Sequence, residues 1–287
     1  MRAWRAAAAA AAVLVLAGCA APTEPDPDAL PAGVTVSLTQ QRSDVAERQA
    51  QVRVSNGSDA VVTVGAVSVS DPRWTGPATR VVQRRSTLAP GAEVNVRVQL
   101  APVQCAAGGE ATAVVSLEYE MDGRAGTAVA PVEEVFPFLA ALHERECVEQ
   151  RARQTAAIGF AGFTPSEAGA PASLELAISP VSEAHDLVVV GIRETNLLTF
   201  EGYDPAAGSY PLGIDLTGMG RSGAAASLPL IPARCDSHAV QEDKRGTVFG
   251  LLVEVDGVAG RFDLVADPEL RGRILSWVAH WCGYGSR

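Results

Sequence analysis

The chain has 287 residues, of which 47% are hydrophobic and 20% charged. That is length for roughly two domains and apolar content enough for packed cores, which excludes a chain disordered throughout. The formal charge is −10, with one lysine (Lys244) among 23 basic residues. It excludes a nucleic-acid partner, because phosphate contacts along a duplex need a clustered basic face.

The N-terminus reads as an export signal. Arg2 and Arg5 precede an apolar run from Ala6 to Leu16. At about 11 residues it is too short for a bilayer, which takes roughly 20, and it suits the apolar core of a signal peptide. Ala3 and Trp4 separate the arginines, so there is no twin-arginine pair. The run ends Leu16-Ala17-Gly18-Cys19, which resembles the signal of bacterial lipoproteins: leucine, two small residues and a cysteine closing the apolar run. The resemblance covers only this N-terminal segment. It implies cleavage before Cys19, acyl chains on Cys19, and residence on the extracytoplasmic face of the cell membrane. Two or more chains anchor a protein stably where one holds only marginally. The competing reading is a buried N-terminal helix with a free cysteine. Residues 1–18 are thus expected to be signal peptide, and 19–32 the lipidated cysteine and its tether. Pro22, Pro25, Pro27 and Pro31, interleaved with Glu24, Asp26 and Asp28, predict an extended segment reaching roughly 35–40 Å. Metal binding by those acids is a lesser reading.

From Gly33 the pattern turns to period two. Val34, Val36 and Leu38 alternate with Thr35, Ser37 and Thr39; Val52 and Val54 do the same, as do Val94, Val96, Val98 and Leu100. Such alternation predicts half-buried strands of antiparallel sheets. Asn56-Gly57, Asp71-Pro72, Pro90-Gly91 and Asp122-Gly123 supply turns, the last of them a hairpin signal. Short strands separated by turns in this way resemble an immunoglobulin-like or fibronectin-like sandwich.

The second half repeats the first. Val64-Gly65-Ala66-Val67 leads to Trp74, and Val190-Gly191-Ile192-Arg193 leads to Phe200. Leu100 to Cys105 matches Leu230 to Cys235, and Leu117 to Gly123 matches Leu251 to Gly257. Each copy then closes with a helix-like segment and a cysteine, Glu134 to Cys147 and Pro268 to Cys282. In the second segment Leu270, Ile274, Trp277, Val278 and Trp281 share a face, with Asp267 as cap before Pro268. Phe138, Leu139, Leu142 and Cys147 do likewise in the first. Trp277 and Trp281 read as core, with a ligand site as the alternative. Setting Cys19 aside leaves four cysteines and three pairings, from which the repeat selects Cys105–Cys147 and Cys235–Cys282. An oxidising exterior suits disulfides. Four thiolates on zinc would want a paired C-x-x-C spacing, which is missing.

The search for chemistry returns mostly negatives. No G-x-S-x-G, P-loop, H-E-x-x-H or G-x-G-x-x-G occurs. His143-Glu144-Arg145-Glu146-Cys147 starts like a zinc-protease helix but has Cys147 where a second histidine is needed, and reads as a solvated helix face. The best candidate is the loop Arg234 to Arg245. There Asp236 could cap a short helix that brings His238 and Glu242 onto one face, a possible ligand or metal site. The first copy has only Ala106 to Glu110 at that point; a polar surface turn is the plainer reading. His185-Asp186 and His280 read as local structure. Arg73, Arg80, Arg84 and Arg85 form a modest basic region, read as a solvated strand face, or else as a contact for an anionic wall polymer.

The expected fold is mainly β: two tandem immunoglobulin-like antiparallel sandwiches (33–150 and 151–287), each closed by a C-terminal helix and one disulfide. The expected function is a lipid-anchored, non-enzymatic binding or scaffolding module for an envelope protein or wall polymer, needing no cofactor. A small-molecule or metal receptor using the His238 loop is the alternative, and an envelope hydrolase the remote one.

Overall fold

A computed structural model describes residues 28–106, 111–182, 184–217, 222–236 and 245–284. The architecture is mainly β, sandwich-like, with three helices among the described residues. Val34 begins β1 (Val34–Thr39), followed by the short α1 (Arg42–Val45) and β2 (Gln49–Asn56), β3 (Val62–Ser70), β4 (Ala78–Arg80), β5 (Ser86–Leu88) and β6 (Glu93–Gln99). Then come β7 (Val114–Met121), β8 (Arg124–Pro131), the two-residue β9 (Glu133–Glu134) and α2 (Leu139–Thr155). The second half comprises β10 (Ala156–Thr164), β11 (Ala172–Pro180), β12 (Leu187–Ile192), β13 (Leu198–Phe200) and β14 (Tyr210–Asp215). It ends with β15 (Ala224–Pro232), β16 (Val248–Val255), β17 (Val258–Val265) and α3 (Pro268–Trp281).

The sequence repeat is also a repeat of strand pairing. In the first half β1 pairs β2, β2 pairs β6 and β6 pairs β4; β5 pairs β3, β3 pairs β7 and β7 pairs β8. In the second half the scheme recurs as β10-β11-β15-β13 and β14-β12-β16-β17. One link differs: β4 also pairs β3, joining both layers of the first half into a single nine-stranded sheet. The alternating valines do what the period-two pattern requires. Val52, Val54, Val64, Val69, Val98, Val115 and Leu117 are fully buried in one hydrophobic cluster. Leu174, Leu176, Ile178, Leu187, Leu228, Leu230, Leu251 and four phenylalanines fill another.

Two details of the repeat have direct physical causes. The hairpins β7–β8 and β16–β17 each turn on Asp-Gly, with Asp122 at φ 51 and Gly123 at φ 71, and Asp256 at φ 51 and Gly257 at φ 77. Two successive positive φ values are what a two-residue type I′ turn needs, and they match the twist of the strands it joins. In addition, β3 and β12 both carry a register shift, at 64–67 and 189–191, beside Gly65 and Gly191. A Cβ on Gly191 would lie 2.7 Å from the Tyr210 carbonyl oxygen, so only glycine fits there.

The helices correct the sequence reading. The first helical segment is not Glu134 to Cys147. Glu133 and Glu134 form a strand that runs parallel to β1. The Glu134 carboxylate instead accepts from the backbone N–H of Phe138 (2.6 Å) and Leu139 (2.9 Å), satisfying donors that a helix start leaves open. The helix then continues eight residues past Cys147, to Thr155, because its two ends serve different clusters. Leu139 and Leu142 pack with the first half, Val148 and Ala152 with the second. Position 150 therefore lies inside α2, and the chain passes from Thr155 straight into β10. The Arg48 guanidinium forks onto Glu146 at 2.7 Å through two nitrogens, and Cys105 bridges Cys147, clipping α2 to the first half. At its other end, a Cβ on Gly260 of β17 would overlap Val148, so the glycine is what admits the helix. The second disulfide joins Cys235 to Cys282, just past α3. Asp267 caps α3 by accepting from the Leu270 N–H at 2.9 Å, as its sequence predicts.

Candidate functional site

The residues singled out from sequence meet different fates. Cys19, His238 and Glu242 lie outside the described residues. Asp236 is exposed, 3.8 Å from Arg234 and next to the Cys235–Cys282 disulfide. Among the described residues no group of three or more His, Cys, Asp or Glu is placed to hold a metal ion. His143 sits 3.2 Å from the Gln104 carbonyl, beside the disulfide. His185 meets Asp256 at 2.8 Å, and Asp256 also accepts from the Asp186 N–H, so this pair pins a hairpin turn to the preceding loop.

The basic region is where structure and expectation diverge most. A solvated face is wrong for two of its four arginines: Arg73 is 8% exposed and Arg80 6%. Arg73 is a structural ion pair. Its guanidinium donates to both oxygens of buried Asp71, at 2.8 and 2.7 Å, and its backbone N–H donates to the same carboxylate. Burial by itself would raise the Asp71 carboxyl, but those bonds and the Arg73 charge outweigh it and hold it below the usual carboxylate range.

Arg80 has no such partner. It donates to the Gly65 carbonyl (2.6 Å) and the Ser86 hydroxyl (2.8 Å), both uncharged. Burial, and after it the charge of Arg84, pull its guanidinium below the ordinary arginine range. The remaining cations nearby are exposed. Arg85 pairs with Glu120 at 2.9 Å, and Arg97 reaches buried Asp44 at 3.5 Å. Arg84 enters no ion pair among the described residues.

Three adjoining cavities make these side chains a groove. One of about 760 Å³ lies over the β3 bulge and is lined by Gly65, Arg84, Arg85, Glu118, Tyr119 and Gly126, among others. A second, of about 320 Å³, shares Glu118 with it and reaches Arg80. A third, of about 230 Å³, lies across Arg80 and is also lined by Gln51, Arg84, Asn95 and Arg97. Glycine shapes the floor: a Cβ on Gly126 would fall 2.8 Å from the Tyr119 hydroxyl, and one on Gly65 would meet the Glu118 carboxylate. Glu118 is occupied by the Ala66 backbone N–H at 3.2 Å. Gly65, Glu118, Tyr119, Gly126 and Arg97 carry no motif that marks them in the sequence as groove residues. A signal for the groove was present: residues 72–92 hold four arginines and no acid in a chain of net charge −10.

A second groove of about 790 Å³ runs along α3, lined by Phe163, Ser166, Arg273, Trp277 and His280 among others. Trp277 is core, as its helical spacing predicts, at 4% exposed. Its indole N–H donates to the Ser166 carbonyl at 3.1 Å and its ring meets Phe163 edge-on at 5.6 Å. Its polar handle is thus spent within the fold.

No protein-family profile matches the chain, and no curated protein matches it in sequence. Among solved structures it is similar to the YadV chaperone (8% identity, TM-score 0.23), covering 82% of this chain and 100% of that one. It is similar to the chaperone DraB of E. coli (11%, TM-score 0.22), over 81% and 96% of the two chains. It is also similar to the red sea bream transglutaminase (11%, TM-score 0.24), covering 82% of this chain but 31% of that enzyme.

Proposed function

We propose that this chain is a lipid-anchored binding module of a bacterial cell envelope, built as two tandem immunoglobulin-like units. The repeated pairing scheme and the matched disulfides support the tandem arrangement. The Leu16-Ala17-Gly18-Cys19 ending and its short apolar run support lipidation of Cys19. Among the described residues no helix is long and apolar enough to cross a membrane. The observation that carries the binding role is the arginine-lined groove, set on a frame held by two cores and two disulfides. Binding residues placed on short connections of a rigid scaffold are a recurrent arrangement.

Fractionation tests the anchor: the Cys19→Ala variant should leave the membrane fraction, and its full retention there would overturn the lipoprotein reading. Co-sedimentation with purified envelopes tests the module. The non-acylated Cys19→Ser chain should pellet, and the same chain carrying Arg84→Glu and Arg85→Glu should stay in solution; equal pelleting would remove the groove from the function.

A further inference from the structure

We propose that the groove takes a phosphate group, with Arg80 and Arg84 as its two cations. This deepens the binding-module reading of the same site and rests on it.

Arg80 is a buried charge without a counter-charge. Taking a guanidinium out of water is costly unless an anion meets it, and Arg80 meets only a carbonyl and a hydroxyl. Its neighbour adds repulsion instead of relief: Arg84 lines the same cavity and acts on Arg80 with like charge. The other two arginines are already matched, Arg85 by Glu120 and Arg97 by Asp44. Glu118, the acid nearest the groove floor, accepts from Ala66 and pairs with neither free cation. Two positive charges thus face one cavity with no carboxylate among the described residues to neutralise them. A phosphodiester supplies one negative charge on two non-bridging acceptor oxygens, and a run of them, along a polymer or across a headgroup surface, supplies one charge for each of the two cations. Guanidinium forks suit it geometrically. Asn95, exposed on the same cavity, adds a neutral donor, while the Gln51 amide there is spent on Asp44.

Phosphate has two sources at this location, a phosphodiester-linked envelope polymer and a phospholipid headgroup. The tether brings the second within range. The Asp28 carbonyl accepts from the Val129 N–H of β8 at 2.6 Å, and Thr127, two residues back along that strand, lines the groove. The chain between Cys19 and Asp28 spans at most about 30 Å.

Titration calorimetry on the full chain in non-ionic detergent tests the site with inorganic phosphate and with polyphosphate. Saturable binding that weakens with salt, and weakens roughly tenfold in Arg84→Gln, is expected for the loss of one charged phosphate contact. Arg84 is exposed, so this variant keeps its fold. Arg80→Met, checked by its melting temperature, should bind at least as poorly. The non-acylated Cys19→Ser chain on phosphatidylglycerol vesicles separates the sources: vesicle binding without polyphosphate binding assigns a headgroup, and the converse assigns a polymer. Absence of binding to all three probes, or binding unchanged in both variants, overturns the proposal. Polyglutamate binding as tightly as polyphosphate overturns it in favour of an acidic peptide. A chain that still pellets with envelopes while binding none of these probes would sink the phosphate ligand and leave the binding module standing.

Discussion

The strand β4 and its counterpart β13 occupy the same place in the pairing scheme, each at the edge of β6 or β15. Both are three residues long, with buried first and last positions around a middle threonine. β13 ends in Phe200, which is 1% exposed and packs among Tyr210 and Phe249 at 5.2 and 6.1 Å between ring centres. β4 ends in Arg80, buried nearly as deeply and without a carboxylate. The two strands thus end inward on different residues, an aromatic plug in one and a cation in the other, two residues apart in register: Phe200 lies opposite Leu230, and Arg80 lies opposite Val98. Since an apolar side chain is the ordinary filling for an inward position, the cation calls for a reason outside folding. A β4–β3 pairing, Ser68 with Thr79 and Val69 with Ala78, occurs in the first half and has no counterpart among the described residues of the second.

The largest effect expected from this comparison is on the aromatic side. Phe200→Ala should destabilise the protein by about 3–5 kcal/mol, since it empties a fully buried ring site that rigid neighbouring strands cannot fill. Chemical denaturation would show it as a lower midpoint at unchanged slope. A loss under about 1 kcal/mol would mean that the site collapses, and that the strand position is less demanding than its burial implies.

Next comes the contrast between two buried arginines in the same half. Arg73 is matched by Asp71, so Asp71→Asn should cost about 3 kcal/mol by stranding Arg73 as a buried cation. The pH dependence has a definite sign. The Asp71 carboxyl is held below its ordinary value in the fold, so its contribution is complete above the unfolded carboxylate range of about pH 4. It fades as pH falls through the lower folded value. Wild type and variant should thus differ near neutrality and converge in acid. A difference that persists at low pH would show that packing, not charge, is what the substitution removed.

Much of this was legible in the chain, and what was not has a physical reason. Period-two valines located the strands, Asp122-Gly123 located one hairpin whose repeat match ends on Asp256-Gly257, and the repeat selected both disulfides that the structure forms. Those signals are local or repeat at a fixed spacing. The extent of α2 was misjudged because its second half is held by β17, more than a hundred residues on, and no local signal reports that contact. The groove was half legible. Clustered arginines are visible in sequence, but whether each is solvated, paired or buried alone depends on partners such as Asp71, Gly65 and Ser86, brought together only by the sheets. Its floor escaped notice because Gly65 and Gly126 act by what they leave empty.

The smallest stability effect, and the sharpest test of the comparison, belongs to Arg80→Met. Methionine matches the length of the arginine stem and can fill the inward position. The substitution removes a buried, uncompensated cation, which favours the variant. It also leaves the Gly65 carbonyl and the Ser86 hydroxyl without their donor, which costs about 1–3 kcal/mol if both stay dry. These terms oppose each other, so the net change should lie within about 1 kcal/mol of zero, against about 3 for the paired Asp71. Measured in the same denaturation series, a loss as large as that of Asp71→Asn would show that Arg80 stabilises the fold in the way Arg73 does. It would then give no reason to look for an anion. A near-zero change accompanied by loss of phosphate binding would separate the two halves of the molecule by purpose, one edge strand kept for packing and its counterpart for a ligand.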